Sequence, residues 1–135
     1  MARMNAGYGS ELHLLRMLGR HRQSFDRQVL AETGANDAWP IHRPGPNWDA
    51  IGRLSYPGRP DEWLLLEAKA NLEELSSNCQ AIDPDSLTLI RQTMDETKTT
   101  LGVSTSGDWM RGYYQHCNRL AALSILNSNG SPARL

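Results

Sequence analysis

The chain has 135 residues, 39% hydrophobic and 21% charged, with a formal net charge of −1. That size and mixture suit one globular domain over residues 1–135 and exclude a disordered chain. Near-neutrality excludes a polyanion binder that works by bulk charge, and no apolar run reaches the length of a membrane span or a signal peptide.

Cys79 and Cys117 stand far apart with no CxxC partner, which argues against a disulfide framework and for a reduced, cytoplasmic setting. His13, His21, His42 and His116 show no zinc-ligand spacing. Along the chain, Ser10 is an N-cap for a helix beginning "ELHLLRMLGRHRQSF", with Leu12, Leu15 and Leu18 as its stripe and Glu11 in its first turn. Residues 1–31 carry five arginines against Glu11 and Asp26, a local surplus of three positive charges. Residues 33–47 read as a proline-rich loop, with a short edge strand near 39–42. Strands are expected over 48–55 and 63–70, joined as a hairpin by the turn-rich "YPGRPDE". Asp83–Pro84 starts a helix that Gly102 stops, and another is expected over 108–127, with Tyr113, Cys117 and Leu120 on its stripe and Gly130 beyond its end.

The apolar run Trp63-Leu64-Leu65-Leu66 leads into Glu67 and Lys69. On a strand Leu65, Glu67 and Lys69 share one face, with Leu66, Ala68 and Ala70 on the other. A hairpin folded about Gly58–Arg59 sets Asp49 opposite the segment 67–69. Two carboxylates brought together raise each other's cost of ionisation unless a cation intervenes, and Lys69 or a divalent metal supplies one. Mg²⁺ commonly takes one or two protein carboxylates and leaves its other positions to water and phosphate oxygens. Asp49, Glu67 and Lys69 thus match what metal-assisted phosphodiester hydrolysis needs, the lysine steadying the attacking water or the developing negative charge. An E-x-K pair on a strand also arises as a solvated surface ion pair.

The order Asp49 then Glu67-Ala68-Lys69, after an acid-bearing helix, resembles the PD-(D/E)XK nuclease superfamily, although Trp48 stands where the motif's name has proline. The wording "GSELHLLRMLGRHR", "NWDAIGRL", "WLLLEAKANLEEL" and "YYQHCNRLAAL" is similar to a bacterial branch of it. The resemblance implies an α/β fold with a restriction-endonuclease-like core: αβββαβ order, a central mixed sheet flanked by helices, here short of its final strand. It implies metal ligation (Mg²⁺ or Mn²⁺) by Asp49, Glu67 and the Ala68 carbonyl, catalysis by Asp49, Glu67 and Lys69, and Glu11 acting on the metal indirectly. Tyr114, Gln115, Asn118 and Arg119 fall where some members place a polar helix motif near nucleic acid. At helical spacing Gln115 and Arg119 share a face and could reach a phosphate or simply meet solvent. The expected activity is cleavage of DNA, or else RNA. A nuclease-fold module that binds nucleic acid or protein with a relict site stays open, as does a metal-free Lys69/Glu67 acid–base pair on a small anionic substrate. An exposed sheet edge would favour a homodimer. Residues 70–86, with Glu73, Glu74, Asp83 and Asp85, read either as a loop over the site or as a solvated linker.

Overall fold

A computed structural model describes Glu11–Leu15 at the level of backbone, Trp39, and residues 48–103 and 106–135. These residues form a mixed α/β arrangement whose four-stranded sheet runs β1-β2-β3-β4: β1 is Glu11–Leu15, β2 Ala50–Tyr56, β3 Arg59–Leu66 and β4 Ala133–Arg134. The first three strands are antiparallel, and β4 lies parallel to β3, with Ala133 beside Trp63. Two helices, α1 (Pro84–Thr100) and α2 (Tyr114–Ser128), lie between β3 and β4 in the chain. Of the final strand only the beginning is present, the two-residue β4.

The first element differs from its expectation. Glu11–Leu15 is a strand, not the start of a helix. Glu11, Leu12, His13 and Leu14 alternate polar and apolar, so so short a window fits period 2 as well as the helical period, and pairing along β2 satisfies the backbone. The rest of the expected helix, and the short strand near 39–42 apart from Trp39, lie outside the described residues.

The hairpin is tighter than its sequence suggests. Tyr56 pairs with Arg59, leaving Pro57 and Gly58 to turn the chain, and Gly58 has φ +76°. A proline followed by a glycine at positive φ suits the two central positions of a type II turn. A bulge follows, in which Ser55 faces both Pro60 and Asp61. Pro60, lacking an N–H, is tolerated there because the ladder is already interrupted. Beyond the bulge Ile51 faces Leu65 and Ala50 faces Leu66. The pairing is one residue from the expected one, since a turn one position earlier shifts the register by two and the bulge gives one back.

Period 2 then decides the faces. Ile51, Trp63 and Leu65 are buried while Leu66 is 40% exposed. The buried side packs against Leu126 of α2, with Trp48, Leu123 and Ala133 around it. A second cluster joins the helices: Ile90 and Met94 of α1, Cys117 and Ala121 of α2, and Trp39 and Met110. Helix α2 therefore buries two stripes, one against the sheet and one against α1. Helix α1 begins as its sequence demands. Asp83 accepts a hydrogen bond from the Ser86 N–H at 2.8 Å, Pro84 opens the helix, and Gly102 follows its end with φ +65°. Helix α2 starts later than expected, because residues 108–112 form turns in which Asp108 Oδ1 accepts from the Met110 N–H and Gly112 has φ +78°. Tyr113, expected on the buried stripe, is 61% exposed.

Burial pushes up the pKa of the Cys117 thiol, and burial followed by a hydrogen bond with Cys79 does the same to the Tyr114 phenol. Both groups hold their proton more tightly folded than unfolded. The stability they contribute is complete below their unfolded pKa values and is lost as pH rises through the folded ones. Melting curves should therefore show Tm falling from about pH 8.5 upward, where an unfolded thiol begins to ionise. A Tm that stays level into the alkaline range would contradict this.

Candidate functional site

The site forms where β2 and β3 end on the side away from the turn. Asp49 precedes β2 and Glu67 follows β3, so the two flank the last pair, Ala50–Leu66. The Asp49 N–H donates to the Leu66 carbonyl at 2.9 Å, and Asp49 Oδ2 accepts from the Ala68 N–H at 2.7 Å. That second bond takes the chain off the ladder and explains why β3 stops at Leu66 rather than at 70. Glu67 continues the buried face of Trp63 and Leu65 and so points at α2. Its Oε1 meets Lys69 Nζ at 2.5 Å and Arg119 Nη2 at 2.9 Å, with the Glu67 side chain only 12% exposed and that of Arg119 7%.

Helix α2 supplies the other wall. Gln115 Oε1 accepts from Lys69 Nζ at 3.4 Å, and the Gln115 carbonyl accepts from Arg119 Nη1 at 2.7 Å. Asn118 Oδ1 also accepts from Arg119 Nη1, at 3.3 Å. The Arg119 guanidinium lies 5.7 Å from the Trp48 ring centre, so Trp48, next to Asp49, backs the cation that reaches Glu67. A cavity of about 130 Å³ opens here, lined among others by Glu67, Lys69, Glu74, Gln115, His116 and Arg119.

Residues 70–86 fasten this wall in place. Ser77 Oγ accepts from the Gln115 N–H at 2.8 Å and the Ser77 carbonyl from the Tyr114 N–H at 3.1 Å. Asn78 Oδ1 accepts from the Gly112 N–H, and Cys79 donates its N–H to the Met110 carbonyl. Ser77 thus does from a distant segment what an N-cap does from within the chain, satisfying an otherwise unpaired N–H of the first turn. Upstream, Asn71 and Glu74 bond reciprocally, side chain to backbone and side chain to side chain, and so shape the 3₁₀ turn Glu73–Leu75. This segment is neither a free linker nor, through Glu74, remote from the site. Ser77 and His116 were not singled out from sequence as site residues, because their roles arise from tertiary pairing with no local signal; Glu74 was expected either in a loop over the site or in a solvated linker, and it lines the cavity.

Of the residues expected at the site, Asp49, Glu67, Ala68, Lys69, Gln115, Asn118 and Arg119 come together. Arg119 and Asn118 are buried rather than on a solvated face. Glu11 does not join them. It lies on a strand, opposite Ser55, which is six positions along β2 from Asp49 or about 20 Å at the usual strand rise. The helix expected to bring Glu11 inward is absent from 11–15, and with it the reason to place this acid beside Asp49 and Glu67.

Mg²⁺ suits a site of few carboxylates because it holds on to much of its water. Asp49 engages the protein through Oδ2 and Glu67 through Oε1. These two carboxylates and the Ala68 carbonyl form a donor set that could hold the ion. Among the described residues no group of three or more His, Cys, Asp or Glu is arranged to hold one. Water and phosphate oxygens would therefore complete the shell. In comparisons with known proteins, the chain matches no family model, no curated protein and no solved structure. Among the described residues no helix is long and apolar enough to cross a membrane.

Proposed function

We propose that the chain is a metal-dependent nuclease of restriction-endonuclease-like architecture that hydrolyses phosphodiester bonds in DNA, with RNA as the alternative substrate. The observation that carries this reading is the bond from the Ala68 N–H to Asp49. It ties the lone acid of one strand end to the middle of Glu67-Ala68-Lys69 on the next. The antiparallel meander followed by helices and a strand parallel to β3 is compatible with the αβββαβ order. Asp49, Glu67 and the Ala68 carbonyl would hold Mg²⁺, which when bound polarises a phosphate and acidifies water. Lys69, anchored by the Gln115 amide, holds the attacking water or balances the charge that develops on the phosphate. Arg119 is the guanidinium able to grip a phosphate in two-pronged fashion.

Calorimetric titration with Mn²⁺, competed by Mg²⁺, tests the metal site without a guess about substrate. One ion per chain is expected, with affinity weaker by roughly tenfold or more in Asp49→Ala, since loss of a direct ligand should cost no less than loss of its support. Cleavage of single-stranded and duplex DNA and of RNA in Mg²⁺ then identifies the substrate. Binding that ignores Asp49 argues against the reading.

A second reading keeps the fold as a binding module with no chemistry. The observation in its favour is that Lys69 and Arg119 already neutralise Glu67 from within the chain. For such a module, neither Mn²⁺ binding nor Mg²⁺-dependent cleavage is expected.

A further inference from the structure

Both cations at the site converge on one atom. Lys69 Nζ and Arg119 Nη2 meet the same Glu67 Oε1, and the Arg119 side chain is among the most buried of the charged groups. A guanidinium held this deep is sustained by its partners, the Glu67 carboxylate, the Gln115 carbonyl and the Asn118 amide oxygen. Resting on the nuclease reading, we infer that Arg119 and the metal compete for Glu67, and that the ion, by taking the carboxylate, turns Arg119 towards the phosphate of an incoming strand.

Charge balance drives the exchange. Asp49 and Glu67 carry two negative charges and Lys69 and Arg119 two positive ones, so these four balance before any ion arrives, and Glu74 on the cavity wall adds one negative charge. A dication bound at Glu67 turns the balance positive in a region where water screens poorly, and Arg119 is repelled from the oxygen it held. An anionic phosphate removes that surplus by accepting from Arg119 and ligating the ion at once. Metal and phosphate therefore strengthen each other's binding, while without a phosphate Arg119 is the metal's rival.

The sign of this effect sets it apart from a simple supporting role. A residue that merely shaped the metal site would weaken metal binding when removed. Here Arg119→Gln, which keeps a hydrogen-bonding side chain but drops the charge, should bind Mn²⁺ about tenfold more tightly than the wild type by calorimetry. Its Tm in chelator should fall, and the Tm gained on adding Mn²⁺ should exceed that of the wild type. Arg119→Lys, still cationic, should stay close to the wild-type affinity. Lys69→Met changes the more exposed cation on the same oxygen, so it gives the same readout even if Arg119→Gln does not fold, and it too should tighten Mn²⁺ binding. If the wild type binds Mn²⁺ and the charge-removing variants bind equally or more weakly, the competition is overturned while the metal site stands. If no form binds Mn²⁺, both fail together. Binding by Arg119→Gln but not by the wild type would be the strongest support, because the arginine would then be closing the site outright.

Discussion

Lys69→Met is expected to slow phosphodiester cleavage by about 10²–10⁴-fold, the usual contribution of a positioned proton-transfer or charge-balancing group. The lysine is well placed for such work. Its ammonium is held between the Glu67 carboxylate and the Gln115 amide, and its side chain is 26% exposed, so water and substrate can reach it. The fold should be spared, because the side chain lies at the rim of the core. The decisive measurement is the single-turnover rate in saturating Mg²⁺, with circular dichroism and Mn²⁺ titration on the same preparation. A rate within about threefold of the wild type, far below the expected loss, would remove Lys69 from the chemistry and leave its ion pair with Glu67 as a structural contact.

The largest loss of stability should come from Leu65→Ala, at about 2–5 kcal/mol. Leu65 is 2% exposed and faces Ile51 across the hairpin, under Leu126 of α2. A domain of this size has on the order of 5–15 kcal/mol in all, so the variant should unfold at markedly lower urea with an unchanged slope. Leu66→Ala, one residue further on and 40% exposed, should cost less than about 1 kcal/mol. Equal shifts in the two variants would contradict the assignment of faces. The pair also tests the site indirectly, since Glu67 is aimed at Arg119 by the same alternation that buries Leu65.

Much of this arrangement was legible in the sequence, and the exceptions have physical causes. Asp83–Pro84 and Gly102 marked the ends of α1 because capping is a local matter of a few residues. The hairpin, and the face that Glu67 shares with Leu65, followed from period 2 and the turn-rich segment 56–62, although the turn falls at Pro57–Gly58 rather than Gly58–Arg59. Glu11–Leu15 misled because the four alternating residues 11–14 fit strand and helix alike, and the choice was made by the partner strand β2. The start of α2 was misplaced because its first turn is capped by Ser77, more than thirty residues upstream, rather than by a neighbour. Arg119 read as a solvated residue at least as readily as a functional one, since nothing in "HCNRL" shows that Trp48 and Glu67 close over it.

The bulge at Pro60 and Asp61 has a consequence for how this hairpin can change in length. One extra residue on β3 keeps Ile51 facing Leu65 behind a turn that would otherwise set Ile51 opposite Leu64. A chain with one residue fewer at 60–61, or one more beside Ser55, reaches the same pairing through an uninterrupted ladder. The reverse edits double the mismatch, and a slip of one position would turn the Glu67 face away from α2. The tip thus carries a length tolerance with a direction: it can be shortened on one arm or lengthened on the other without the far end, some 20 Å away by the usual strand rise, registering the difference.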